Sequence, residues 1–138
     1  MSKAAVKPVQ VSGRRKAAIA RATISKGTGI VKVNNIPLSL VEPKFNRMKI
    51  EEPLLLAGKL ASDVNVQISV MGGGPSGQAD AIRLAIARGL VEYSKDETLR
   101  ATLLNYDRQL LVADVRRREM RKPNNRGKAR SKRQKSYR

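Results

Sequence analysis

The chain has 138 residues, with 29 Lys or Arg against 11 Asp or Glu, a formal net charge of +18, and neither Cys nor His. That excludes a disulfide framework, a thiolate metal site, a Cys nucleophile and a Ser–His pair, and no run approaches the ~18 apolar residues of a membrane span. A chain this basic calls for a polyanion, and the commonest polyanion in a cell is nucleic acid.

Residues 1–12 are polar, interrupted by Pro8, and read as a mobile arm. Residues 1–11 hold Lys3 and Lys7 but no apolar h-region, so they do not read as a signal peptide. Gly13-Arg14-Arg15-Lys16 then places three positive charges at the start of a strand over residues 17–25. Alternation puts Ala18, Ala20, Ala22 and Ile24 on a core face and Ile19, Arg21 and Thr23 on the other, so Arg21 projects from an open sheet face. Lys26-Gly27-Thr28-Gly29 reads as a hairpin turn to a second, antiparallel strand over residues 30–33. Residues 50–60 read as a helix with Leu54, Leu55, Gly58 and Ala61 in one stripe and Glu51 and Glu52 near its start.

Residues 64–71 alternate strictly between apolar and mostly polar side chains, the pattern of a half-buried strand. Gly72-Gly73-Gly74-Pro75-Ser76-Gly77-Gln78 leads from it into a helix over residues 78–93, with Ala79, Ile82, Ile86, Gly89 and Tyr93 inward and Arg83 beside that stripe. Asp96 can cap a further helix over residues 97–105 with Leu99 and Leu103 inward. Residues 110–115 read as a final short strand. The order predicts an α+β fold: one sheet layered with helices on one face. Three parts follow: the arm 1–12, a globular domain 13–115 and a tail 116–138.

The tail holds 12 Lys or Arg, one acid (Glu119), and no Leu, Ile, Val, Phe or Trp. Alone it cannot bury enough apolar surface to offset its ordering entropy, so it is expected to fold only on its partner. Its candidate phosphate ligands are Arg116, Arg117, Arg118, Arg121, Lys122, Arg126, Lys128, Arg130, Lys132 and Arg133.

The glycine loop admits three readings. Gly72, Gly74 and Gly77 spell a dinucleotide fingerprint, but Glu92 falls within the helix rather than at the end of a following strand. The glycine spacing also suits a P-loop, but Gln78 and Ala79 stand where Lys and Ser or Thr belong. What remains is a tight turn whose helix N-terminus presents N–H groups to phosphate, with a hydroxyl from Ser76. In a basic chain that phosphate belongs to nucleic acid. Arg14, Arg15, Lys16, Arg21, Ser76, Gly77, Gln78 and Arg83 are therefore the folded domain's candidate ligands, with Arg88 beside them. The competing readings are a nucleotide-using enzyme, with Asp63, Asp80 and Glu92 as its nearby acids, and an architectural DNA-binding protein with a histone-like tail.

Three motifs and the ending together carry a resemblance. Gly13-Arg14-Arg15-Lys16-Ala17-Ala18-Ile19-Ala20-Arg21-Ala22, the loop from Val70 to Ala79, the run Ala81-Ile82-Arg83-Leu84-Ala85-Ile86-Ala87-Arg88 and the ending Gln134-Lys135-Ser136-Tyr137-Arg138 resemble the universal small-subunit ribosomal protein nine family. The match runs in order along nearly the whole chain. The Lys-Ser-Tyr-Arg ending resembles the archaeal and eukaryotic branch, in which the eukaryotic member is called protein sixteen. The resemblance implies a two-layer fold with a four-stranded sheet, similar to the second domain of ribosomal protein five. It implies no enzymatic activity and no cofactor, and a place in the ribosome, in the cytoplasm. The implied partners are ribosomal RNA of the small-subunit head, neighbouring head proteins and peptidyl-site transfer RNA, the last approached by Lys135, Ser136, Tyr137 and Arg138. The chain departs from this branch at Asp114-Val115, where Asp-Pro is common, and over residues 120–125, which are less glycine-rich than expected and contain no glycine.

Overall fold

The computed structural model describes residues 7–130 and Tyr137. Its elements in chain order are β1 (Val9–Arg15), β2 (Ala18–Lys26), β3 (Val31–Val33), β4 (Ile36–Pro37), α1 (Lys44–Ala57), α2 (Lys59–Ser62), β5 (Val64–Met71), α3 (Pro75–Ser94) and α4 (Glu97–Tyr106). Single 3-10 turns occupy Leu38–Leu40 and Arg108–Leu110. The five strands form one mixed sheet in the order β1-β2-β5-β3-β4. The α+β class holds, and the sheet has five strands where the resemblance implies four.

The most strictly alternating segment takes the centre. β5 buries Val64, Val66, Ile68 and Val70 and turns Gln67, Ser69 and Met71 to solvent. β2 pairs antiparallel to it with Ala20 opposite Val70 and Ile24 opposite Val66, as its small-and-apolar face requires. The expected pairing of β2 with β3 does not form: β3 runs parallel to β5 on the other side. The turn at residues 27–30 bonds to β5 instead of closing on itself. Gly27 N–H donates to Asp63 O at 2.9 Å, and the Asn65 side chain accepts from Thr28 N–H and Ile30 N–H at 2.9 and 3.1 Å. Asn34 fixes the far end of this pairing, donating to Val70 O and accepting from Val70 N–H.

α3 lies across β1, β2 and β5. Its buried side chains are Ala79, Ala81, Ala85 and Ala87 with Ile82, Leu84, Ile86 and Leu90, and this Ala-rich surface meets the Ala18, Ala20 and Ala22 face of β2. Small residues on both surfaces bring helix and sheet close together, which is how a chain with four aromatic residues closes its core. A Cβ on Gly13 would stand 2.2 Å from Ala81 O and 2.8 Å from Ala85 N, so the approach of β1 to α3 depends on glycine there. α1 and α4 pack against α3. A second apolar cluster, centred on Ala87, Leu103 and Leu110, holds α4 and the 3-10 turn. Asp96 caps α4, accepting from Thr98 N–H at 2.9 Å.

Three further expectations change. Residues 9–12, read as part of an arm, form the first half of β1, whose Val9 and Val11 alternate with Gln10 and Ser12. α1 starts at Lys44 rather than Ile50, so Glu51 and Glu52 sit in its middle; its inward stripe is Asn46, Ile50, Pro53, Leu54 and Ala57, so Leu54 packs inward as expected and Leu55 is 77% exposed. Residues 110–115 form no strand, because Leu110 is drawn fully into the second cluster and the chain then leaves the domain.

Candidate nucleic-acid interface

The β1–β2 turn and the glycine loop meet at one end of the molecule. Lys16 takes the left-handed conformation (φ 53°) in the two-residue turn between the strands, a conformation that costs a non-glycine residue energy. Gly72 (φ 76°) and Gly73 (φ 68°) follow β5, and a Cβ on Gly72 would stand 2.5 Å from Ala17 O. Gly72 and Gly73 therefore serve the approach of the loop to the β1–β2 turn, whereas a Cβ on Gly74, the second glycine of the fingerprint, would meet nothing within 4 Å. Gln78 closes the loop by donating its side-chain N–H to Gly72 O at 3.0 Å.

Among the described residues no side chain caps α3. Pro75 has no N–H, and the amides of Ser76 and Gly77 in the first turn lack the carbonyl partner that interior amides have. They face an opening of about 810 Å³ lined by Arg15, Lys16, Ala17, residues 73–77 and Arg116, Arg117 and Arg118. The helix dipole favours an anion at this point.

The start of the tail is steered to this opening by polar contacts, partly buried at Arg88 and Arg15 and exposed at Arg116. Arg88 Nε donates to Leu111 O at 2.9 Å, and its terminal nitrogen donates to Ser12 O at 3.3 Å. Asp114 then pairs with Arg15, accepts from Arg116 N–H at 2.8 Å and chelates the Arg116 guanidinium at 2.9–3.3 Å. Arg15 also lies 3.7 Å from Asp80, which accepts from Lys49 at 3.1 Å. Arg83, expected at the nucleic acid, is turned away from the glycine loop. It pairs with Glu52 on α1 and with Asp107 at 3.0 Å, tying α1, α3 and the end of α4 together. Its charge is thus spent inside the protein, and so is most of the charge of Arg15.

The other predicted residues divide clearly. Arg14 and Arg21 are exposed on β1 and β2, and neither they nor Lys16 has an acid partner among the described residues. Past Asp114 the described tail forms no helix or strand. Arg117, Arg118, Arg121, Arg126 and Lys128 are exposed, whereas Lys122 and Arg130 share Glu119 at 3.4 and 2.9 Å. Tyr137 is exposed. Lys132, Arg133, Lys135, Ser136 and Arg138 lie outside the described residues.

Sequence reasoning missed the pairing of Glu52, Asp80, Asp107 and Asp114 with Arg15 and Arg83. Asp114 carries one local signal, its spacing of two from Arg116, which suits a side-chain-to-backbone turn. The others meet their partners only through the tertiary fold.

Comparison with known proteins adds the lineage. The family profile for ribosomal protein S9/S16 matches residues 13–138. The small ribosomal subunit protein uS9 of Methanothrix thermoacetophila is 50% identical over 133 residues, covering 96% of this chain and all of that one. The proteins of the same name from two strains of Methanococcus maripaludis, C5 and C7, are 48% and 47% identical over 134 residues, with the same coverage. A profile spanning nine-tenths of the chain and relatives near half identity over their full lengths place it: the chain belongs to the ribosomal protein S9/S16 family and is a ribosomal protein rather than an enzyme.

Proposed function

We propose that the protein is a structural constituent of the small ribosomal subunit that binds ribosomal RNA of the subunit head, and that its tail runs on towards peptidyl-site transfer RNA. The observation that carries this is the convergence of Lys16, the uncapped start of α3 and the first three tail arginines on one opening. Lys16, Arg117 and Arg118 act there as phosphate ligands beside the Ser76 and Gly77 amides, with Arg14 near the same end. Gln78 shapes the loop. Arg15, Arg83 and Arg116 contribute by holding the tail root and the helices in place, a consequence of their carboxylate partners.

The rest of the tail, from Arg121 through Lys128 to Arg133, neutralises phosphates in a channel too narrow for a folded domain. Its tip, with Lys135, Ser136, Tyr137 and Arg138, meets transfer RNA. Arginine suits both roles because its planar fork grips phosphate bidentately and stacks on bases. The folded unit, a domain of the kind found second in ribosomal protein five, supplies the anchor, and neighbouring head proteins complete its surroundings in the cytoplasmic ribosome.

The test is salt dependence. Each phosphate contact contributes roughly 0.7–0.9 to the slope of log affinity against log salt. If half of the tail's 12 cations neutralise phosphate, a chain truncated after Val115 loses about four to five from its slope on small-subunit ribosomal RNA. An unchanged slope would remove the tail as a phosphate ligand.

A further inference from the structure

None of the 11 acids lies in a strand, although all 11 lie among the described residues. The five strands carry Arg14, Arg15, Arg21, Lys26 and Lys32 and no opposite charge. Alternation turns Arg15 towards the helices and their carboxylates. It turns Arg21 and Lys32 the other way, onto the face that none of the described helices covers.

That face is organised by register. Ser12, Arg21 and Ser69 form one cross-strand row, and Gln10, Thr23, Gln67 and Lys32 form the next. Asn34 and Asn35 close the β3 side of a shallow groove of about 550 Å³ over these rows. Every named side chain is a cation, an amide or a hydroxyl. Nothing aromatic lies in any strand, so the face offers no stacking platform for bases. What it matches is a sugar–phosphate backbone: charge for phosphate, amides and hydroxyls for phosphate oxygens and 2′-hydroxyls.

We propose that this open sheet face is a second RNA-backbone site, separate from the opening at the glycine loop, so that the domain bridges two stretches of RNA. Charge complementarity selects the occupant. Residues 1–6 and 131–138 contain no acidic side chain to complement the face. A neutral or basic protein surface would leave Arg21 desolvated and unpaired, which is costly. The inference rests on the reading that the protein binds ribosomal RNA, and it adds a place on the fold that this reading does not need.

The experiment uses the full-length chain and small-subunit ribosomal RNA. Arg21→Ala with Lys32→Ala should lower the salt slope by about two, because each lost phosphate contact removes about one. Photo-crosslinkers placed at Gln67 and, separately, at Ser76 should both reach RNA, at different nucleotides. If Ser76 crosslinks to RNA while Gln67 crosslinks only to protein or to nothing, and the slope is unchanged, the sheet site is overturned and the glycine-loop reading stands. If neither position reaches RNA, both fall.

Discussion

In the helix layer two partly buried guanidinium groups meet carboxylates, Arg15 meeting Asp114 and Asp80 and Arg83 meeting Glu52 and Asp107, while a third, Arg88, meets the carbonyls of Leu111 and Ser12. On the open side of the sheet Arg21 and Lys32, and beside them Arg14, meet none among the described residues. Arg14 and Arg15 are adjacent in sequence and differ only in which way the pleat turns them. The difference teaches that a basic run in such a protein is not one feature. Half of it neutralises acids that the tertiary fold delivers, and half stays available to a polyanion.

The largest effect comes from breaking the boundary between the two sides. Gly13 lets β1 come close enough to α3 for Arg15 to reach Asp80 and Asp114. A methyl there meets backbone atoms of Ala81 and Ala85, which cannot swing aside as a side chain would. Gly13→Ala should destabilise by about 3 kcal/mol, at the upper end of overpacking costs, read from the denaturant midpoint. A Cβ on Gly89 meets mainly the side-chain ends of Ile24 and Val11, so Gly89→Ala should cost less, about 1 kcal/mol. Equal losses would mean that backbone contact is not what limits β1.

The next test separates the two kinds of arginine. Arg83→Ala leaves Glu52 and Asp107 facing each other without their cation in a half-buried site. It should cost about 1–2 kcal/mol, between exposed and fully buried pairs. The same change should leave the salt slope of RNA binding where it was. Arg14→Ala should do the reverse: stability within about 0.5 kcal/mol, and a slope smaller by about one. The opposite pattern would exchange their assignments.

How much of this was readable in the sequence follows from the range of the interactions. The Val64–Met71 strand, the Asp96 cap and the inward face of α3 were readable because each is written in side chains a few residues apart. The pairing of β3 with β5 was not, because it depends on Asn65 and Asn34 bonding to segments more than 30 residues away. α1 misled at Leu55, which is 77% exposed, and at its start, which lies at Lys44; Leu54 packs against the core as its spacing predicts. At the candidate site the cations were visible and the acids' use was not. Arg83 and Arg15 look like Arg14 until the fold brings carboxylates to them.

The smallest effect concerns an acid of the helix layer that serves the backbone instead of a cation. Asp96 accepts from the Thr98 hydroxyl at 2.7 Å and from Thr98 N–H at 2.9 Å, and these bonds, the hydroxyl first, hold its carboxyl below the ordinary carboxylate value. A depressed folded value means the carboxylate adds stability above the unfolded value and loses it as pH falls through the folded one. Asp96→Ala should therefore lower the denaturant midpoint slightly near neutral pH, and the gap from the parent should close below about pH 4. Asp96→Asn keeps an oxygen acceptor without the charge, so it should retain part of the cap and show a flatter pH dependence. A gap that persisted at low pH would mean that the cap acts through geometry alone. The acids of the helix layer would then divide, as the arginines do, into those that act by charge and those that act by shape.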